Sequence, residues 1–236
     1  MKISDLNLPE HVSVKAFDSR LALTSALTES ISQQLSSAVA NNGTAALAVS
    51  GGSTPVPLFQ ALSKQDLPWE KVITTLVDDR WVSPEHKDSN EALVRTHLLQ
   101  NHAAQAPFIG LWQANLPASA AAASVNTRLS VIDGPLTTVI LGMGSDGHTA
   151  SLFPCSTQLT LAFNSDRDCE AVKPTTAPHS RMTLTPKRLF NSEQRILHIC
   201  GEDKLDTLAK ALELDDPSLM PIGLFLRQPI TLYWAP

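Results

Sequence analysis

The stretch TTVILGMGSDGHTASLFP, Thr137 to Pro154, decides how this chain is read. Its β-branched and apolar opening is that of a strand buried on both faces. The strand then runs into a corner where Gly142, Gly144 and Gly147 fit the spacing G-x-G-x-x-G. A dinucleotide-binding loop of that spacing opens a long crossover helix and is followed about twenty residues on by an acidic residue at a strand end. Here Pro154 stops any helix within two turns of Gly147. The acidic residues at the right distance, Asp166 and Asp168, follow no strand, so the cofactor reading fails. What remains is Asp146, Gly147 and His148 on a tight turn. Of seven histidines, His148 alone stands in a glycine-framed corner at the end of a buried strand. An imidazole there suits general acid–base work near neutral pH. Metal binding would need a second His or Cys at ligand spacing, which the corner lacks.

Strand-like and helix-like segments alternate on both sides of this corner. HVSVKAF, TAALAVS, KVITTLV, APFIGLW, RMTLTP, QRILHICG and ITLYW read as strands. The helical segments are LALTSALTESISQQLSSAVA, PVPLFQALS opened by Pro55, SNEALVRTHLLQ capped by Ser89 or Asn90, ASAAAASVNTRLSVI and EDKLDTLAKALEL. No fixed-period repeat and no Gly/Ser- or Pro-rich linker divides the chain. The expectation is one α/β domain over residues 1–236: a mostly parallel sheet with helices on both faces, plus a small subdomain from the middle of the chain. The stretch from Cys155 to Val172 is expected to include a flap beside the corner. In such folds ligands bind at the carboxyl ends of the strands.

Two further strand ends carry chemistry. In AVSGGSTPVPLF, Gly51 and Gly52 let the backbone approach a ligand, and Ser53 and Thr54 are expected to cap the helix that follows, a favourable place for an anion. The G-K-[ST] of a nucleotide-binding P-loop is missing, so ATP and GTP are not indicated. In VDDRWVSPEHKDSN, two carboxylates and an arginine directly after an apolar strand must pair or bind something. Asp78 fits an orienting or activating role, and Arg80 an anion or a developing oxyanion. A structural ion pair fixing the loop is the plainer alternative for both. Lys173, Arg181 and Lys204 each lie beside an expected strand end or helix start, where they serve if the glycine corner binds a phosphate.

Bulk properties narrow the partners. With 43% hydrophobic and 17% charged residues the chain can bury a substantial core. A net charge of -5 argues against a nucleic-acid binder. Cys155, Cys169 and Cys200 form no C-x-x-C pair, the usage of a reducing compartment. Lys2 is followed by no apolar signal core, and no run approaches bilayer-spanning length. A cytoplasmic protein without membrane contact is expected.

Together these segments resemble the 6-phosphogluconolactonases. The resemblance rests on SGGSTP (50–55), DDRWVSPEHKDSN (78–90), LGMGSDGHTASLFP (141–154), KPTTAPHSRMTLT (173–185) and GEDK (201–204), spread in order over most of the chain. DGHTASLFP is the specific signal, whereas SGGSTP is shared with related sugar-phosphate enzymes. Asp79 stands where the family usually has Glu, and Ser83 intervenes before Pro84; neither touches the residues assigned chemistry. The resemblance implies the fold of glucosamine-6-phosphate deaminases, a modified Rossmann-type arrangement, and a monomer. It implies hydrolysis of 6-phospho-D-glucono-1,5-lactone to 6-phosphogluconate without cofactor or metal. The family's phosphate contacts map onto Gly51, Gly52, Ser53, Arg181 and Lys204, its base onto His148, and Asp78 and Arg80 line the lactone site.

Asp146 and Asp78 both remain candidates to hold the imidazole, and Arg80 and a corner N–H both remain candidates for the oxyanion. Two rivals differ in class. A glucosamine-6-phosphate deaminase would share the phosphate loop and the Asp-Gly-His corner, but TASLFP lacks the glutamate that follows the histidine there. A silent sugar-phosphate sensor would need the phosphate grip and not the set Asp78, Arg80 and His148.

Overall fold

The computed structural model describes residues 2–236. In chain order its main elements are β1 (Val12–Ala16), α1 (Arg20–Asn42), β2 (Ala45–Val49), α2 (Val56–Leu62), β3 (Val72–Leu76), β4 (Asp78–Arg80), α3 (Asn90–His97), β5 (Phe108–Ile109) and α4 (Ala118–Leu129). There follow β6 (Leu136–Leu141), α5 (Leu159–Phe163), β7 (Cys169–Val172), β8 (Arg181–Leu184), α6 (Pro186–Phe190), β9 (Ser192–Cys200), α7 (Asp203–Leu214), α8 (Ile222–Leu226) and β10 (Ile230–Ala235).

Seven strands form one sheet in the order β1-β10-β9-β6-β2-β3-β5, and every pairing in it is parallel. The central strands β2 (AALAV) and β6 (LTTVIL) are buried at every position, as continuous apolar runs in a covered sheet should be. The chain moves outward through β2, β3 and β5, then returns to β6 and moves the other way through β9 and β10. Right-handed crossovers therefore put α1, α2 and α3 on one face and α4 and α7 on the other. Consistent with this, α1 packs on α2 and α2 on α3. The reversal between β2 and β6 opens a crevice at their carboxyl ends.

α1 shows how directly local chemistry sets an element. Ser19 caps it by accepting from the Ala22 N–H at 3.2 Å, and Gly43 ends it in the left-handed region at φ 81°. Leu23, Leu27, Ile31 and Leu35, spaced four apart, are its buried stripe. One contiguous apolar core joins such residues to Val172, Met182 and Leu184 of the smaller sheet.

That smaller sheet departs from the expected alternation. It is antiparallel, in the order β4-β8-β7, and comes from the middle of the chain. The charged cluster after β3 is thus itself a strand, and RMTLTP pairs with it rather than with the large sheet. The stretch Cys155 to Val172, expected to include a flap, holds α5 and β7, with Leu159, Ala162, Cys169 and Val172 buried. APFIGLW shrinks to a two-residue edge strand. Val77 joins the sheets. Its N–H donates to the Val49 carbonyl of β2 at 2.9 Å, and its own carbonyl accepts from Leu184 of β8 at 2.8 Å.

Candidate active site

The crevice at the carboxyl ends of β2 and β6 is a cleft of about 280 Å³, lined by residues from both sheets. From β2 come Ser50 to Pro55, from β4 Asp78 and Arg80, and from the β6 corner Gly144 and His148. β8 supplies Arg181, and β9 with the start of α7 supplies His198 and Lys204. Gly51, Gly52, Ser53, Asp78, Arg80, His148, Arg181 and Lys204 are thus gathered in one place. Lys173 is not among the lining residues; its side chain is exposed beyond the end of β7.

His148 is fixed by its own turn. Its Nδ1 lies 2.5 Å from Asp146 Oδ1, and its backbone N–H donates to the same oxygen at 3.2 Å. The carboxylate accepts, so the Nδ1–H tautomer is assigned and Nε2 keeps its lone pair. Burial works to raise the Asp146 carboxyl, but its hydrogen bond and attraction to His148 outweigh that and leave it below the usual carboxylate range. The ring stacks on Phe153, with centroids 4.0 Å apart. Gly144 makes this possible, because a Cβ there would overlap the imidazole and come within 2.7 Å of Asp146 Oδ1. The corner spends its own donors internally: Gly144 N–H on the His148 carbonyl at 2.9 Å, Gly147 N–H on Gly144 at 3.1 Å.

Asp78 does not hold the imidazole; its Oδ2 accepts from Ser151 Oγ at 2.5 Å. Strand alternation turns Asp78 and Arg80 to the cleft and Asp79 away from it. Asp79 caps α3 instead. Its Oδ1 accepts from the N–H groups of Asn90 (2.7 Å) and Arg80 (2.8 Å), and its Oδ2 from that of Glu91 (3.2 Å). Burial pushes the Asp79 carboxyl up to about 7, against the pull of these donors. Ser89 is the residue at the cap position, accepting from Ala92 N–H at 3.2 Å.

Asn90 is more than the cap residue it resembles in sequence. Its Oδ1 accepts from Arg80 Nη1 at 2.9 Å while its Nδ2 donates to the Asp78 carbonyl at 2.8 Å. A Cβ on Gly51 would overlap the Asn90 amide, so the β2 turn closes against it only as glycine. Ser53 and Thr54 do not cap α2, whose N-cap is Pro55 without a side-chain bond; both line the cleft.

Neither Arg80 nor Arg181 forms an ion pair with a carboxylate among the described residues. Arg181 is buried, donates to the Pro178 carbonyl at 3.1 Å, and leaves Nε without a partner. Its guanidinium lies 5.6 Å from the Phe153 ring centroid, and burial lowers its pKa despite the attraction of Asp78. Unpaired buried cations of this kind are sites for an anion.

Over residues 18–234 the chain matches the family described as glucosamine-6-phosphate isomerases/6-phosphogluconolactonase. The chain belongs to that family. A 6-phosphogluconolactonase of Pseudomonas aeruginosa is 41% identical to it, with all of both chains covered. One of Rhizobium meliloti is 43% identical, covering 93% of this chain and 97% of that protein. The solved structure of a 6-phosphogluconolactonase from Shewanella baltica OS155 superposes with a TM-score of 0.94 at 44% identity, over 98% of this chain and all of that one.

Among the described residues of this family member, His86, Asp88 and His179 are the group of donors close enough to share a metal ion, all within 4.8 Å. They lie outside the cleft lining. His179 Nε2 meets Asp88 Oδ2 at 3.0 Å, while the Asp88 carbonyl accepts from Arg80 Nη1 at 2.8 Å. The trio thus clasps the loop after β4 to the loop before β8. No helix is long and apolar enough to cross a membrane among the described residues. Sequence reasoning overlooked His198, because a lone histidine inside an apolar strand carries no motif.

Proposed function

We propose that this chain hydrolyses 6-phospho-D-glucono-1,5-lactone to 6-phospho-D-gluconate, the lactone step of the oxidative pentose phosphate pathway, with His148 as general base. Its relatives at 41% and 43% identity are named for that activity. One observation carries the assignment of chemistry: an imidazole fixed through Nδ1 by Asp146 at 2.5 Å shares a cleft with two arginines that have no carboxylate partner.

His148 Nε2 removes a proton from water as its oxygen bonds to C1. The carbonyl π electrons move onto oxygen, giving a tetrahedral oxyanion. As the carbonyl re-forms, the C1–ring oxygen bond breaks and the imidazolium returns its proton to the departing oxygen. The new carboxylic acid then loses a proton to solvent. Asp146 holds the ring in its useful tautomer and favours the transient cation. Arg80 takes the oxyanion, since the Gly144, Gly147 and His148 N–H groups are already bonded within the turn. Asp78, tied to Ser151, positions the strand that carries Arg80. The turn at Gly51, Gly52 and Ser53, with Arg181 and Lys204, grips the phosphate, whose binding energy orients the lactone. Hydrolysis is redox-neutral and asks for no cofactor, and every group named comes from one chain.

The test generates the lactone in place with glucose-6-phosphate dehydrogenase and follows its disappearance with and without the protein, after subtracting spontaneous opening. Faster decay is expected. An unchanged decay would overturn the reading, and ammonia release from glucosamine 6-phosphate would then point to the deaminase branch.

A further inference from the structure

His198 lies near the carboxyl end of β9, lines the cleft, and is only 4% exposed. Its Nδ1 is buried without a hydrogen-bond partner. Burial holds the ring's pKa down to about 4, so at neutral pH it is an uncharged imidazole with one N–H donor and one acceptor nitrogen. Its strand neighbours on either side, Leu197 and Ile199, are buried and apolar, and its register partner on β10 is Tyr233. An apolar residue would satisfy that packing without leaving a polar atom unpaired. The imidazole therefore points to a bond made with a ligand in the cleft it lines. The same segment continues through Cys200 to Lys204, and both of these also line the cleft.

We propose that His198 is a substrate-positioning residue, its imidazole hydrogen-bonding the phosphate end of the sugar phosphate beside Lys204. This rests on the sugar-phosphate reading of the cleft. An uncharged, directional partner fixes the phosphate where a further cation would have to be buried. The role is distinct from that of His148, because His198 moves no proton in the reaction.

The experiment pairs kinetics with ring nitrogen NMR of the intact protein. His198→Leu should raise KM for the lactone, and Kd for 6-phosphogluconate, by about tenfold, with kcat held within about twofold. His198→Asn or His198→Gln, which place an amide near Nδ1 or Nε2, should recover most of that loss. In the wild type, 6-phosphogluconate and inorganic phosphate should each shift the His198 ring signals. An unmoved ring signal overturns the proposal even if the leucine variant fails to fold. Unchanged KM and Kd in a folded His198→Leu protein would overturn it equally. A wild type that binds 6-phosphogluconate and shifts His198 but leaves the lactone intact would defeat the proposed reaction and leave this contact standing.

Discussion

The two walls of the cleft are built on opposite plans. On the large-sheet side, Asp146 and His148 are two residues apart and held by a turn that bonds to itself. On the small-sheet side, Arg80 depends on Asn90 ten residues away, and Asp78 on Ser151 at a separation of 73. The imidazole is thus placed by local geometry and the Arg80 guanidinium by tertiary pairing. Loss of a group on the first wall should remove chemistry while sparing the fold. On the second wall, binding, oxyanion support and stability should be entangled.

Replacing His148 gives the sharpest view of that contrast. His148→Ala should lower kcat by about 10²–10⁴-fold with an unchanged thermal midpoint. A comparable drop in midpoint would break the idea that the corner stands alone. Arg80→Ala should cost about 10²–10³-fold in kcat, and Arg80→Lys should recover little, because Nη1 alone holds both Asn90 Oδ1 and the Asp88 carbonyl, and a lysine whose one nitrogen took those bonds would have no second nitrogen for the oxyanion. Steady-state kinetics would expose the error if lysine restored full turnover. Arg181→Ala should chiefly raise KM, by about tenfold or more, under the proposed role of its charge as a grip on the remote phosphate; an equal fall in kcat would move Arg181 to the reacting end.

The last effect concerns stability rather than turnover. Asp79 has a folded pKa of about 7 against an unfolded value of 3.8. A raised carboxyl contributes stability that is fully present below the unfolded value and is lost as pH rises through the folded one. Wild-type stability should therefore decline relative to Asp79→Asn between pH 4 and 7. Urea unfolding at the two ends of that range measures it, and parallel curves would show that Asp79 is ionised throughout.

The large sheet was legible because β2 and β6 announce themselves as apolar runs, the second rich in β-branched residues, and α1 by apolar positions at helical spacing. The Asp-Gly-His corner was legible for the same reason its turn holds itself: its members are neighbours in sequence. The second sheet was legible only in part: RMTLTP read as a strand and a subdomain was expected from the middle of the chain, but the antiparallel pairing with β4 was not. β4 is three charged residues, and charge alone does not distinguish a strand that feeds two different environments from a loop. Asn90 reads as an ordinary helix start, because its bond to Arg80 exists only once α3 docks on β4. Choosing Asp146 over Asp78 needed distances. Lys173 fits the same strand-end pattern as Lys204 yet lies outside the cleft, since β7 is the far edge of the small sheet.

Val77 has a consequence for how such a chain can change over time. One residue is anchored to both sheets, through its N–H to β2 and its carbonyl to β8, so the residues after it are counted from a fixed origin. Asp78 and Arg80 face the cleft and Asp79 faces α3 only because of that count. Substitutions here act one side chain at a time, but gaining or losing a single residue between Leu76 and Trp81 would exchange the two faces at once. It would send the helix cap into the cleft and the arginine out of it. The segment is a ruler: its length should resist change even where its composition drifts.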